Sequence, residues 1–418
     1  MIARDRAQAS VMLGTGFVWR GLAACVVYAF LAGLSALLGN GGRFQWVFAA
    51  CFLAAVLSSL AGGYKDAIRG FERTDIPAGA HVAQQVILFF AVLVVLLLGG
   101  RLNSLLCVGL VVPFLVVLGL SRASKSVGIG RLVVRREQFA IMFMMGTPFV
   151  INDIAMALQP IAEALFLSKL APQEVVGWYA ATRRLTGLLV LPAVSLTSSL
   201  YPTLSRLHVT SAEGFAATVR NSLNGVALLA APAALGCALF PEIGIAVFGA
   251  KDFAPAANNL RVMSAFLFLV YFSMPLTSAV LASGKRRAWT IVLSVSVVVS
   301  VSLDPLLVWW FQARMGNGGV GLCVAAVVSE CLVIIGGLLL VPRGVLDRSV
   351  LRTIALACLS GLAMAAVALL LKGRVNPFVA APLAVLAYAA AAVATGAVTR
   401  PQREAVVNVL RRRLGRFF

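Results

Sequence analysis

Twelve long apolar stretches, with little chain between them, restrict this 418-residue protein to a lipid solvent. They run over residues 12–39, 44–62, 80–99, 103–121, 139–169, 175–206, 214–240, 256–283, 288–311, 319–341, 350–371 and 377–398. Most hold at least 18 residues, enough at 1.5 Å per residue to cross a hydrocarbon layer of roughly 30 Å. Barrel strands would alternate polar and apolar side chains and these runs do not, so the spans are helices. A soluble domain could not bury the surface of a chain that is 61% hydrophobic and 12% charged. The expected class is therefore all-α and polytopic, with about twelve transmembrane helices.

Lys and Arg are distributed unevenly across those helices. Of 35, counting those at the edges of a stretch with the adjoining loop, 24 lie at the two termini and in the even-numbered connections, and seven in the odd-numbered ones. The positive-inside rule then makes both termini and the basic loops cytoplasmic. A formal net charge of +20 spread over short loops suits anionic lipid headgroups rather than nucleic acid, which would call for a gathered basic surface. Four basic residues remain inside apolar stretches: Arg20, Arg183, Arg184 and Arg261. Each is costly against lipid, so an interior or watery face is expected.

The connections exclude several functions. None exceeds about 20 residues, too few for a folded catalytic domain. The seven cysteines all fall in apolar stretches without a CxxC or a nearby His, and read as small buried hydrophobes, neither disulfides nor metal ligands. His81 and His208 have no catalytic partner at readable spacing, and no phosphate-cradling glycine motif is present. The first apolar run is too long for a signal-peptide core and reads as a spanning helix.

The long connection at 122–137 is basic and divides four helices from eight. The expected organisation is a four-helix N-terminal lobe over 1–121, a basic cytoplasmic linker over 122–138, and a six-helix C-terminal lobe over 139–341. A terminal helix pair over 342–400 and a basic amphipathic tail over 401–418, lying on anionic lipid, complete it. Shifting the chain by 214 residues brings Arg6 onto Arg220, Ser10 onto Asn224, and the basic turn at 67–73 onto the one at 281–287. Helix ends and positive loops then fall in register, as in transporters built from repeated lobes. That offset puts the start of the first lobe about 75 residues before Met1, so the N-terminal lobe is expected to be incomplete by two helices.

Residues 163–185 (EALFLSKLAPQEVVGWYAATRRL) resemble the pattern of the polysaccharide transporter family, in which an acidic residue and "LG" or "LA" lead into "VGxYxAAxRL". Residues 200–206 (LYPTLSR) resemble its "LxPxLSRL" helix end, and 247–256 (VFGAKDFAPA) its "xFGxxFxPA" segment. The opening 2–6 (IARDR) looks like the segment after that family's second helix. The family lies within the multidrug, oligosaccharidyl-lipid and polysaccharide exporter superfamily, and its members usually have about fourteen helices. The resemblance implies a flippase that moves an undecaprenyl-diphosphate-linked oligosaccharide across the bacterial inner membrane, for polysaccharide and lipopolysaccharide (O-antigen) synthesis. Alternating access between lobes is its mechanism. A polysaccharide polymerase and glycosyltransferases are the expected protein partners.

Moving a diphosphate and its sugars demands a cavity that keeps charges and hydroxyls satisfied away from bulk water. Arg20, Arg183, Arg184 and Arg261 are the candidate substrate-binding residues, since a guanidinium grips phosphate oxygens bidentately. Snorkelling or pairing with an acid is the competing reading for each, and Asp252 or Glu242 could neutralise Arg261. The acids Asp153, Glu163, Asp304 and Glu330 are the candidate coupling residues. No cofactor is expected, and the driving ion would be H+ or Na+, because a membrane carboxylate must be neutral, paired or cation-bound. Static ion pairs would also account for these acids, Glu163 reads equally as a cap or interfacial group, and Asp304 before Pro305 could bond backbone groups freed by the kink. Asn152, Gln159, Asn221 and Asn224 could serve sugar hydroxyls or interhelical bonds. Trp178, Tyr179, Trp309 and Trp310 read as an aromatic belt, with sugar stacking as the sharper use.

Two other functions remain open at this point. A drug or cation antiporter of the same superfamily would favour acidic and aromatic cavity groups, against which four intramembrane arginines count. A membrane polymerase or ligase would need a sizeable periplasmic loop, and the loops here are short.

Overall fold

In the computed structural model, residues 9–37, 42–71, 73, 75–130, 132–135, 137, 139, 159–249, 251–342, 344–345 and 347–398 are described. The described chain is helical, and ten of its helices are long and apolar enough to cross a membrane. It divides into two compact units, 1–150 and 151–418.

The first unit contains α1 (Ala9–Leu37), α2 (Gly42–Gly70), α3 (Asp75–Leu97) and α4 (Leu102–Ser126). Leu13 of α1, Ala61, Tyr64 and Ile68 of α2, and Val116 and Leu120 of α4 pack into one apolar cluster with Ile129. The expected linker begins inside a helix, because α4 continues to Ser126. Beyond it the chain runs back along α1: Val133 N–H donates to the Ser10 carbonyl at 3.3 Å, and Arg135 N–H to the Thr15 hydroxyl at 3.2 Å. Gly14 permits this approach, since a Cβ there would stand 2.6 Å from the Val133 carbonyl oxygen.

The second unit opens with helical residues 159–170, here α5. It continues through α6 (Gln173–Thr210), α7 (Ala212–Leu239), the short α8 (Pro241–Ala246), α9 (Ala256–Ala282), α10 (Arg286–Met315), α11 (Gly319–Leu340), α12 (Arg348–Leu371) and α13 (Pro377–Ala394). Ser211 ends α6 in an extended conformation and caps α7, its hydroxyl accepting from Gly214 N–H. Asp347 caps α12 and also meets Arg220 of α7 at 3.0 Å, fastening that corner.

Apolar side chains gain nothing by leaving lipid for one another, so these helices dock through close approach and hydrogen bonds. Gly321 of α11 lies against the backbone of Leu307 and Val308 in α10, and Gly336 against Val292 of the same helix. Prolines supply hydrogen-bonding sites. Pro232 lacks the N–H that would bond the Leu228 carbonyl, and the Tyr388 hydroxyl of α13 donates to that carbonyl at 3.0 Å.

Candidate functional site

Three helices of the second unit each contribute a pair of polar residues one turn apart: Gln159 and Glu163 on α5, Tyr179 and Arg183 on α6, Ser300 and Asp304 on α10. Spacing of i, i+4 puts the two members of each pair on one face. Glu163 is 3% exposed, and its carboxylate accepts from the Tyr179 hydroxyl at 2.7 Å and from the Gln159 amide at 3.3 Å. The Arg183 guanidinium stands 3.7 Å away. Glu163 is thus not a helix cap. It lies well inside α5, and burial obliges it to take every donor within reach.

The Gln159 amide also donates to the Ser300 hydroxyl at 3.3 Å, tying α5 to α10. Both helices run toward the same end of the unit: α5 leads into α6, whose Tyr179 touches Gly319 just after α10. One turn further along each, Glu163 comes level with Asp304, and the two carboxyl groups interact electrostatically. Asp304 is 1% exposed, and among the described residues neither of its oxygens has a hydrogen-bond partner. It does not bond the backbone freed by Pro305, one of the alternatives that the sequence left open. A carboxyl group held this way is stable as the neutral acid or beside a cation. Among the described residues no three His, Cys, Asp or Glu side chains gather as a metal site.

Arg183 joins this node to a cavity of about 520 Å³ lined by residues of α5, α6, α9, α10 and α11. Gln159, Thr197, Ser273, Ser296, Ser329 and Glu330 supply further polar lining, between apolar groups such as Phe266 and Met274. Glu330 has no ion-pair partner among the described residues.

The remaining candidates are dispersed. Arg184, next to Arg183 in sequence, is exposed on another face of α6 and does not line the cavity. Arg261 is half-exposed, bonded to Asn258 at 3.0 Å and 3.9 Å from Glu242. In the first unit, Arg20 donates to the Ser59 carbonyl of α2 and lines a cavity of about 250 Å³ with Ala23, Phe52 and Val56. Asp153 lies outside the described residues, as do Asn152 and the tail 401–418.

Sequence reasoning missed the parts played by Tyr179, Ser273, Ser296, Ser300 and Ser329. Tyr179 is 7% exposed and serves Glu163 rather than a belt, whereas Trp178 donates to the Asp252 carbonyl at 2.8 Å. Trp309 and Trp310 are exposed, Trp310 beneath the Arg314 guanidinium at 4.5 Å. The run Ser296, Ser300, Asp304 carried a legible signal: three polar residues at intervals of four along an apolar helix.

The fold recurs in known transporters. The lipid II flippase MurJ, in an inward closed conformation, superposes with a TM-score of 0.73 at 12% identity, over 93% of this chain and 84% of that one. An outward-facing multidrug resistance MATE family transporter of the MOP superfamily gives 0.61 at 14% identity, over 81% and 79%. The Vibrio cholerae MATE transporter VcmN, in its bent form, gives 0.56 at 13%, over 81% and 80%. No curated protein sequence matches the chain. Residues 2–208 match the family described as polysaccharide biosynthesis protein. Through those residues, just under half of the chain, the protein is similar to that family, and over most of its length it shares the fold of multi-pass membrane transporters.

Proposed function

We propose that this transporter flips an undecaprenyl-diphosphate-linked oligosaccharide from the cytoplasmic to the periplasmic leaflet of a bacterial inner membrane, driven by H+ or Na+. The observation that carries the coupling is the Glu163–Asp304 node: a buried carboxyl without a hydrogen-bond partner among the described residues beside one that Arg183 reaches, next to a polar cavity. Protonation or cation binding at Asp304 changes the charge facing Glu163. That frees or fixes the Glu163–Arg183 pair, and with it the cavity wall. Undecaprenyl-linked substrate, O-antigen or lipopolysaccharide synthesis, cytoplasmic termini, and service to a polymerase and glycosyltransferases complete the reading. The family match and the fold shared with a lipid II flippase support it.

Purified protein in liposomes, given a fluorescent undecaprenyl-diphosphate trisaccharide on one leaflet, tests it. Translocation is expected to follow an imposed H+ or Na+ gradient, and Arg183→Ala to stop it while Arg184→Ala retains most of it. Full translocation by Arg183→Ala would sink the assignment. A drug or cation antiporter is the second reading, favoured by the presence in the cavity of Glu330, which has no ion-pair partner among the described residues. It predicts gradient-driven ethidium transport in the same liposomes and none of the saccharide lipid.

A further inference from the structure

Five hydroxyl groups line the cavity of the second unit, and all five have already committed their protons. Thr197 donates to the Ala193 carbonyl at 2.8 Å, Ser273 to Val270 at 3.2 Å and Thr277 to Ser273 at 2.8 Å. Ser273 also lies within reach of the Glu330 carboxylate, so its single proton is spent on one acceptor or the other. Ser296 donates to the Ser329 carbonyl at 3.1 Å, and Ser329 to Ala326 at 2.9 Å. A hydroxyl that has donated retains only lone pairs for a ligand. The Gln159 amide nitrogen is likewise committed, to Glu163 and Ser300. The wall therefore presents acceptors, and its one large donor is Arg183, already in part engaged by Glu163.

Glu330 sharpens this bias. It stands on α11 among those acceptors with no ion-pair partner among the described residues, and an ionised carboxylate accepts only. A diphosphate, itself all acceptor, matches Arg183 alone and is repelled by Glu330. A neutral sugar hydroxyl has a proton to give but leaves the carboxylate charge uncompensated in a low-dielectric setting. A protonated primary amine has three N–H donors, no acceptor, and the compensating charge.

We propose that this cavity is a subsite for an amine-bearing sugar of the transported saccharide, its ammonium seated on Glu330 and the surrounding hydroxyl oxygens, its ring oxygens toward Arg183. The proposal rests on the flippase reading for the identity of the cargo. The cavity volume of about 520 Å³ falls in the range of small-molecule sites, roughly 300–1,000 Å³. The diphosphate is bound outside this subsite.

The test uses the full chain in lipid nanodiscs and two probes at pH 6, chitotriose with three free amines and its fully N-acetylated counterpart. Calorimetry is expected to show chitotriose bound about 10- to 100-fold more tightly, the worth of one charge-assisted contact. Glu330→Gln should bring the two affinities together, and Glu330→Asp should retain part of the preference. Equal affinity of the two probes for the native protein overturns the proposal, whatever the variants do. So does an undiminished preference in folded Glu330→Gln, judged by an unchanged size-exclusion profile. The liposome assay separates this idea from the one beneath it. Flipping of undecaprenyl-linked saccharides without amine preference defeats the subsite and keeps the flippase; amine preference without any flipping does the reverse.

Discussion

Removing the Glu163 side chain should destabilise the second unit, and the structure sets the size of the loss. The Tyr179 hydroxyl bonds the carboxylate at 2.7 Å within a buried site, a charge-assisted contact worth about 1.5–3 kcal/mol. Arg183 adds less: at 3.7 Å and 38% exposed, its pairing is worth at most about 1 kcal/mol. Glu163→Ala is therefore expected to destabilise by about 2–4 kcal/mol, partly by leaving the tyrosine proton unmatched. Glu163→Gln keeps an acceptor for Tyr179 and should lose about half as much. Equilibrium unfolding of the full chain in detergent by SDS titration, followed by circular dichroism, provides the free energies. The decisive comparison is a double-mutant cycle with Tyr179→Phe, for which a coupling of about 1–2 kcal/mol is expected. A coupling below about 0.5 kcal/mol would refute the claim that this bond holds α5 on α6.

Two further perturbations probe the buried acid and the helix packing. Asp304→Asn replaces a buried carboxyl that has no hydrogen-bond partner among the described residues with an amide of the same shape, so it should change stability by less than about 1 kcal/mol while abolishing gradient dependence of transport; a destabilisation matching that of Glu163→Ala would show that Asp304 is paired. Gly321→Ala places a Cβ 2.5 Å from the Leu307 carbonyl group, where backbone must move, and should lower stability by about 2 kcal/mol or more. Gly187→Ala, with nothing within 4 Å, is its control and should be neutral or gain up to about 1 kcal/mol; equal losses for the two glycines would show that close helix approach is not what Gly321 provides.

The helices were legible from the sequence because a bilayer leaves the backbone few alternatives. Every predicted apolar stretch coincides with helix wherever it is described, although ends differ by several residues, as at α3, which begins at Asp75 rather than residue 80. The six-residue α8 gave no comparable signal, being too short to carry a period. Candidate site residues were legible as polar exceptions in apolar runs, and Glu163, Arg183 and Asp304 do come together. Their roles were not. Arg183 and Arg184 are adjacent in sequence yet project about 100° apart on a helix, so one reaches the cavity and the other does not.

Solvent and composition set what the sequence determined alone: a multi-pass helical membrane protein, the order of its spans, and the short roster of groups expensive enough in lipid to need explanation. Pairing of those groups was left to tertiary structure, because a hydrogen bond between helices depends on which faces meet and at what height. Gln159 reaches Ser300 across 141 positions of sequence, and that single registration brings Glu163 level with Asp304. The hydroxyls of the cavity make the same point on a smaller scale. Their presence is written in the chain, but the direction of each proton, and hence a wall of acceptors around Glu330, exists only once the helices have packed.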